Sequence, residues 1–367
     1  AGLRAKLESA AAAKAGEMEA LRRPAGRVSI CYVANAPFFN LFRESLTVRR
    51  ELGWHTTLLN LTGINNTFQR DYFDRVQGFG GDLRALLQAV AELDPDIIQV
   101  LGWHHTYYLP MVFRLRFPDR PVLCEFQDLV SAFLDKAEYV SLWGQAPAEA
   151  ELEHTAERYI MENMDGLLFP YVREAAGFLA SRYALRCPTL SLPAYPFPGF
   201  FAPERTGESP ERKRNRLLFV GGLPATNDPD SVFGDAKLLN LLPDLLDQDL
   251  QFTVFNNPLL PTDLAVYYPE HLELARQRMN YRFLPGVPPD RLRDYAGLYD
   301  YGVMLYRFDG VRVSRDHLSA VLPSKFYAYM EMGLPILVSA ELASVADLVR
   351  THEVGLVLAP EDIARLG

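Results

Sequence analysis

From Arg27 onward the chain alternates short runs rich in β-branched and aromatic residues with longer runs whose apolar positions recur at helical spacing. Residues 28–33 read as a strand, 39–52 as a helix stopped by Gly53, and 56–61 as a second strand. A helix over 81–93, a strand over 97–101, a helix over 109–116 and a strand over 122–126 continue the alternation. That succession predicts a parallel sheet covered by helices on both faces. Residues 149–164 then read as a long helix, 166–170 as a strand, 173–183 as a helix and 189–192 as a strand.

The periodicity stops in AYPFPGFFAPERTGESPERKRNR, where proline, glycine and charge accumulate. A second alternating series follows, with strands over 217–220, 251–255, 281–284, 301–306 and 336–338 and helices over 237–247, 271–279 and 289–297. The pattern predicts an α/β protein with two doubly wound, Rossmann-like domains: 24–200, then a linker over 201–215, then 216–367. Ahead of them, AGLRAKLESAAAAKAGEMEALRR carries Leu3, Leu7, Ala11, Ala15, Met18 and Leu21 at steps of four or three. That spacing reads as a helical extension over 1–23 or as a frayed end.

Composition narrows the function classes. With 367 residues, 49% of them hydrophobic, the chain is long enough for two cores. A net charge of −9 argues against a nucleic-acid partner, so any anionic ligand must be held by local charge. Charges scattered through the first segment exclude a signal peptide, and no stretch approaches the roughly 20 apolar residues of a membrane span. Cys31, Cys124 and Cys187 cannot all pair within one chain, and the first two lie in strand-like runs. Buried free thiols and a cytoplasmic location are expected, with peripheral membrane association still open.

The stretch VLPSKFYAYMEMGLPILVS places Lys325 at the mouth of an apolar helix. Ser324 is the expected N-cap, Pro323 resists helix on its N-terminal side, and Gly333 ends the helix before a strand. Unpaired N–H groups of a first turn, joined by an ammonium, make an anion site. In open parallel sheets ligands bind beyond the carboxyl ends of the strands. The loops there carry Asn35-Ala36-Pro37, Gly102-Trp103-His104-His105 and Gln127-Asp128 in the first half. In the second half they carry Gly221-Gly222, Asn256-Asn257-Pro258, Pro285-Gly286-Val287 and residues 307–322.

Single residues read two ways. His104 or His105 either faces a ligand hydroxyl or serves as a capping or core histidine. Asp128 is an acceptor-side base or an N-cap. Arg307, Arg312, Arg315 and His317 together would bind phosphate or an acidic sugar, or else form a solvated lid. The aspartate-x-aspartate of Asn227-Asp228-Pro229-Asp230 reads as a plain loop, and no metal site is expected. Tyr32, Phe38, Phe39 and Phe42 read as core and lip packing.

Taken in order, several pieces resemble the GT-B glycosyltransferases, specifically the retaining family 4 (group 1) type. VLPSKFYAYMEMGLPILVS is similar to that family's signature near the end of its second domain, LYDYGVMLY to the strand before it, and RLLFVGG to the strand and glycine turn that open the domain. In the first half, DPDIIQVLGWHH, VLCEFQD and ERYIMENMDGLLFPYVREAAGFLASRYAL are similar to the corresponding strands and helix–strand–helix unit.

The resemblance implies two domains facing a cleft and a nucleotide-sugar donor held mainly by the second domain. The acceptor, a carbohydrate, lipid-linked or protein hydroxyl, approaches from the first. It implies a diphosphate contact from Lys325, close backbone approach at Gly221 and Gly222, and no cofactor; Pro285, Gly286, Val287, Arg307 and Ser324, at the strand ends and the helix start, are the further candidate donor contacts. It also implies further helical chain beyond residue 367, with room for upstream or downstream domains.

The family's two usual glutamates fall on Ala320 and Ala328, and its first-domain His-Asp pair on Gln127 and Asp128. Glu331, one turn beyond Ala328 on roughly the same face, is either a substitute at the ribose or a solvated or salt-bridged residue. By the resemblance, transfer of a sugar to a hydroxyl, retaining and without metal, is the expected activity. A nucleotide-sugar 2-epimerase and a non-catalytic sugar-nucleotide-binding module are the alternatives.

Overall fold

The computed structural model describes residues 26–366 apart from 36–38, 63–66, 104–105, 128, 130–136, 138–139, 141–145, 172–181, 194, 204–214, 224–237, 259–262, 307 and 309–314. For residues 39, 67, 68, 315 and 316 it describes the backbone alone. The predicted extension over 1–23, the helix over 173–183 and most of the linker lie outside the described residues. The chain divides into two compact units. One takes in the chain to Gln127 with residues 159–168 and 186–189; the other takes in 128–158, 169–185 and 190–367.

The first sheet has seven strands: β1 (Ser29–Ala34), β2 (His55–Asn60), β3 (Arg75–Gly78), β4 (Ile97–Gly102), β5 (Val122–Phe126), β6 (Gly166–Phe169) and β7 (Thr189–Ser191), in the order β3-β2-β1-β4-β5-β6-β7. β1 runs parallel to both neighbours, with Ser29 opposite His55 and Ile30 opposite Ile97. All six residues of β1 are buried, as expected for a strand covered on both faces. Helices α1 (Phe39–Thr47), α2 (Leu83–Leu93), α3 (Tyr108–Arg116) and α4 (Pro147–Asn163) accompany it. The expected helix over 39–52 continues past α1 as a π-helical turn, Val48–Leu52, and ends where predicted, at Gly53 with φ +64°. Asp82 caps α2 by accepting the N–H of Ala85 at 2.9 Å. Tyr32 and Phe42 sit in the core, Phe42 stacked on Tyr72 with ring centres 4.8 Å apart.

The second sheet has six strands: β8 (Arg216–Val220), β9 (Gln251–Phe255), β10 (Tyr281–Leu284), β11 (Tyr301–Met304), β12 (Ile336–Ser339) and β13 (Gly355–Leu358), in the order β10-β9-β8-β11-β12-β13. Its helices are α5 (Leu242–Leu246), α6 (Leu264–Tyr267), α7 (Pro269–Gln277), α8 (Arg315–Ala320), α9 (Ser324–Met332) and α10 (Ala343–His352). The predicted helix over 237–247 is replaced by a 3-10 turn, Leu238–Asn240, and then α5. Pro243 lacks an N–H and would clash with a carbonyl four residues earlier, but it suits the first turn of a new helix. The predicted helix over 289–297 is wound as 3-10 turns, Pro289–Leu298. β3, α10 and β13, which the pattern did not single out, complete the two sheets. Among the described residues no helix is long and apolar enough to cross a membrane. All three cysteines are free, Cys31 and Cys124 buried.

Candidate functional site

In the second sheet the strand order reverses between β8 and β11, the topological switch point where open α/β sheets bind ligands. The two strands pair only through Leu217–Tyr301 and Leu218–Gly302. Beyond that register they part, and the Tyr329 hydroxyl of α9 fills the split. It accepts the N–H of Val220 at 3.1 Å and donates to the carbonyl of Val303 at 2.9 Å. Burial pushes the Tyr329 phenol well above its ordinary pKa, so it stays protonated and keeps both bonds. Gly302 is a glycine because a Cβ there would stand 2.2 Å from Cγ of Tyr329. A tyrosine on the helix and a glycine on the strand together hold the sheet open at its carboxyl end.

Lys325 lies in that opening. Pro323, with φ −60° and ψ 139°, occupies the cap position of α9, so Ser324 is the first helical residue and not the predicted N-cap. No side chain caps this end; Phe326 donates its N–H to the Pro323 carbonyl at 3.0 Å, which leaves the dipole and the N–H groups of Ser324 and Lys325 for a ligand. Gly333 ends the helix as predicted, at φ +64°.

The half-buried Lys325 lays its ammonium 4.6 Å from the ring centre of Phe219 and 5.2 Å from that of Tyr306, and donates to Tyr306 Oη at 2.6 Å. Tyr306 is its one hydrogen-bond partner among the described residues, and none of their carboxylates pairs with it. Gly221 follows β8 with φ +127°, a conformation L side chains rarely adopt, and a Cβ there would meet Lys325 Cε at 3.4 Å. Its N–H is spent on the carbonyl of Phe255 at 3.0 Å, while Gly222 is exposed.

Neighbouring loops frame the same edge. The buried Asn256 donates its backbone N–H to Leu284 and accepts the N–H of Leu223 on its side chain, at 3.1 and 3.4 Å. A Cβ on Gly286 would stand 2.1 Å from the Asn256 carbonyl oxygen, so that glycine is already required by loop-to-loop packing. Pro285 is exposed and Val287 half-buried beside it. Ser339, at the end of β12, accepts the N–H of Tyr306 at 2.9 Å and donates to its carbonyl at 3.3 Å. A lysine side chain, a helix start without a side-chain cap and glycine turns so arranged suit an anion that only accepts hydrogen bonds, such as a phosphate.

Glu331 is 2% exposed, and its carboxylate accepts the N–H of Phe197 at 2.8 Å while its carbonyl accepts that of Ala202. It ties the segment ahead of the second sheet to α9. His317 is buried, with its ring edge-on to Tyr171, and burial lowers its pKa to about 3. It is therefore neutral near pH 7 and brings no charge of its own to the arginines near it in sequence. His104, His105, Asp128, Arg307 and Arg312 lie outside the described residues, as does the side chain of Arg315. Sequence reasoning missed Tyr306, Phe219 and Ser339 as members of the site. The one available signal was that Tyr306 follows the apolar run of β11 at a strand's carboxyl end.

No family model matches the chain, and no curated protein matches it. Among solved structures it is similar to Anabaena HepE, whose structure is in complex with UDP and glucose, at 12% identity over 93% of this chain and 88% of that one, with a TM-score of 0.57. A glycosyltransferase from Rickettsia africae aligns at 10% identity over 93% and 86% of the two chains, with a TM-score of 0.52. UGT2 of Phytolacca americana, complexed with UDP-2fluoro-glucose and pterostilbene, aligns at 11% identity over 93% and 89%, with a TM-score of 0.51. The chain thus has the fold of these glycosyltransferases, two Rossmann-like α/β units of the GT-B type.

Proposed function

We propose that this chain is a glycosyltransferase that moves a sugar from a nucleotide-sugar donor to a hydroxyl acceptor, with retention in the manner of family 4 and without a metal or cofactor. One observation carries the reading: Lys325, half-buried at the switch point, has aromatic rings and a phenol around its ammonium and no carboxylate paired with it among the described residues. With no carboxylate on it among the described residues, that ammonium is available to an anion from outside the chain. Lys325 meets the donor diphosphate, and Gly221, Gly222, Ser324, Pro285, Gly286, Val287 and Arg307 surround the donor. Glu331 enters as a brace of α9, since its carboxylate already receives a backbone N–H.

The anomeric C–O bond to the diphosphate breaks and the acceptor oxygen bonds to the anomeric carbon. Negative charge grows on the leaving phosphate, where the ammonium and the N–H groups at the start of α9 stabilise it more than in the ground state. His104, His105 and Asp128 are the groups offered for the acceptor side, a base among them taking the hydroxyl proton.

The test is a panel of nucleotide sugars with wild type and Lys325→Ala, read by thermal shift and by donor turnover. Saturation at about 100 times the dissociation constant should stabilise wild type by about 2.7 kcal/mol. Lys325→Ala should lower turnover by about 10² or more, because a charge-assisted contact is worth about 2–3 kcal/mol. Isomer formation without acceptor would replace this reading with an epimerase. Tight nucleotide binding without turnover of any donor would replace it with a binding module.

A further inference from the structure

We infer that Tyr306 is a second donor of the anion site, giving its phenol O–H to the same phosphate group that Lys325 meets; the inference rests on the nucleotide-sugar reading for the identity of that phosphate. A phenol oxygen has one proton to give and lone pairs to receive. Lys325 Nζ occupies one lone pair at 2.6 Å, so the proton must point away from the ammonium. Among the described residues it meets no acceptor, although Tyr306 is only 8% exposed. A largely buried phenol whose proton meets no acceptor among the described residues has that proton to give to a bound anion.

The residue is built to hold this direction. Ser339 takes its N–H and donates to its carbonyl, which fixes the backbone at the end of β11. The ring packs against Phe308 and under the ammonium, with centres 5.6 Å and 5.2 Å away. Lysine by itself is a point charge with rotatable donors and sets no orientation. Tied to the phenol, it keeps its remaining N–H groups for the ligand while the O–H defines the direction of one phosphate oxygen. The ligand class that satisfies both donors is a phosphate or diphosphate ester, which accepts on several oxygens and offers no competing donor.

Calorimetric titrations of the full chain with inorganic pyrophosphate, with uridine, guanosine and adenosine diphosphates, and with the matching nucleosides test the assignment. Tyr306→Phe keeps the ring and removes only the hydroxyl. It should weaken pyrophosphate and the preferred diphosphate about 10-fold and leave nucleoside affinity unchanged. In Lys325→Ala the added Tyr306→Phe change should cost less than it does in wild type, because the phenol has lost the group that orients it. Unchanged pyrophosphate and diphosphate binding by Tyr306→Phe overturns the assignment, as does an equal loss for the nucleoside. A wild type that binds pyrophosphate but no nucleoside diphosphate, with the Tyr306→Phe loss intact, supports the anion pair and removes the nucleotide-sugar reading. A wild type that binds neither overturns both.

Discussion

Replacing Glu44 by glutamine should make the chain more stable at pH 8 and leave it unchanged at pH 4.5. Glu44 on α1 and Glu125 on β5 are 8% and 4% exposed, and both accept from one nitrogen, Nε2 of the buried Gln99, at 3.2 and 2.9 Å. Two oxygens bonded to one atom at those distances are no farther apart than about 6 Å. Two full charges at that separation repel by about 3 kcal/mol at an effective dielectric of about 20. Burial, only partly offset by hydrogen bonds from Gln99 and Tyr32, raises Glu44 from its ordinary 4.5 to about 7, and Glu125 is raised well above its ordinary value by burial and by Glu44.

The folded state therefore holds the Glu44 proton more tightly than the unfolded chain does. Stability falls as the pH rises through the window from 4.5 to about 7, and the penalty is complete above it. At about 1.4 kcal/mol per pH unit the Glu44 contribution, which comes from burial, amounts to about 3 kcal/mol. His271 and His317, lowered by burial to about 4 and about 3, act in the opposite sense below pH 6.5. Wild type alone would therefore mix the two effects, whereas the difference between wild type and Glu44→Gln cancels the histidines. Urea denaturation of both proteins at half-unit steps from pH 4.5 to 8.5 gives that difference. It should grow by about 2–3 kcal/mol in favour of glutamine, with most of the rise complete by pH 8. A difference flat across the series would refute the reasoning from the buried Glu44 carboxyl.

Three further outcomes are expected. Tyr329→Phe should lower stability by about 2–3 kcal/mol in denaturant unfolding, because the N–H of Val220 and the carbonyl of Val303 lose the hydroxyl between them. Glu331→Ala should lower the melting temperature, through a loss of about 1.5–3 kcal/mol for the bond from Phe197, and leave nucleotide affinity unchanged in titration. Gly302→Ala should cost about 3 kcal/mol or more, read by thermal unfolding, since a Cβ there overlaps the Tyr329 ring.

Local chemistry was legible in the sequence wherever a single residue type has one physical use. The alternation of apolar runs gave two parallel sheets because strands buried on both faces need uninterrupted apolar residues, as β1 has. Gly53 and Gly333 marked helix ends because only a left-handed conformation closes those turns cheaply. Lys325 stood out as a charge where an apolar helix begins.

What the sequence could not supply were relations between residues far apart along the chain. That Tyr329 would join β8 to β11, that Tyr306 would take the ammonium, and that Glu331 would reach back to Phe197 depend on strand order and helix placement, which no local periodicity encodes. The same holds for Gly286. Its smallness reads as room for a ligand until the Asn256–Pro258 backbone is found 2.1–2.5 Å from where its Cβ would be. His317 reads as a member of a basic cluster until folding buries its ring, and desolvation then removes its charge. Apolar spacing and backbone permissiveness act within a few residues and can be read along the chain. Hydrogen-bond partnership, burial and the charge states they set exist only once the tertiary structure has brought the partners together.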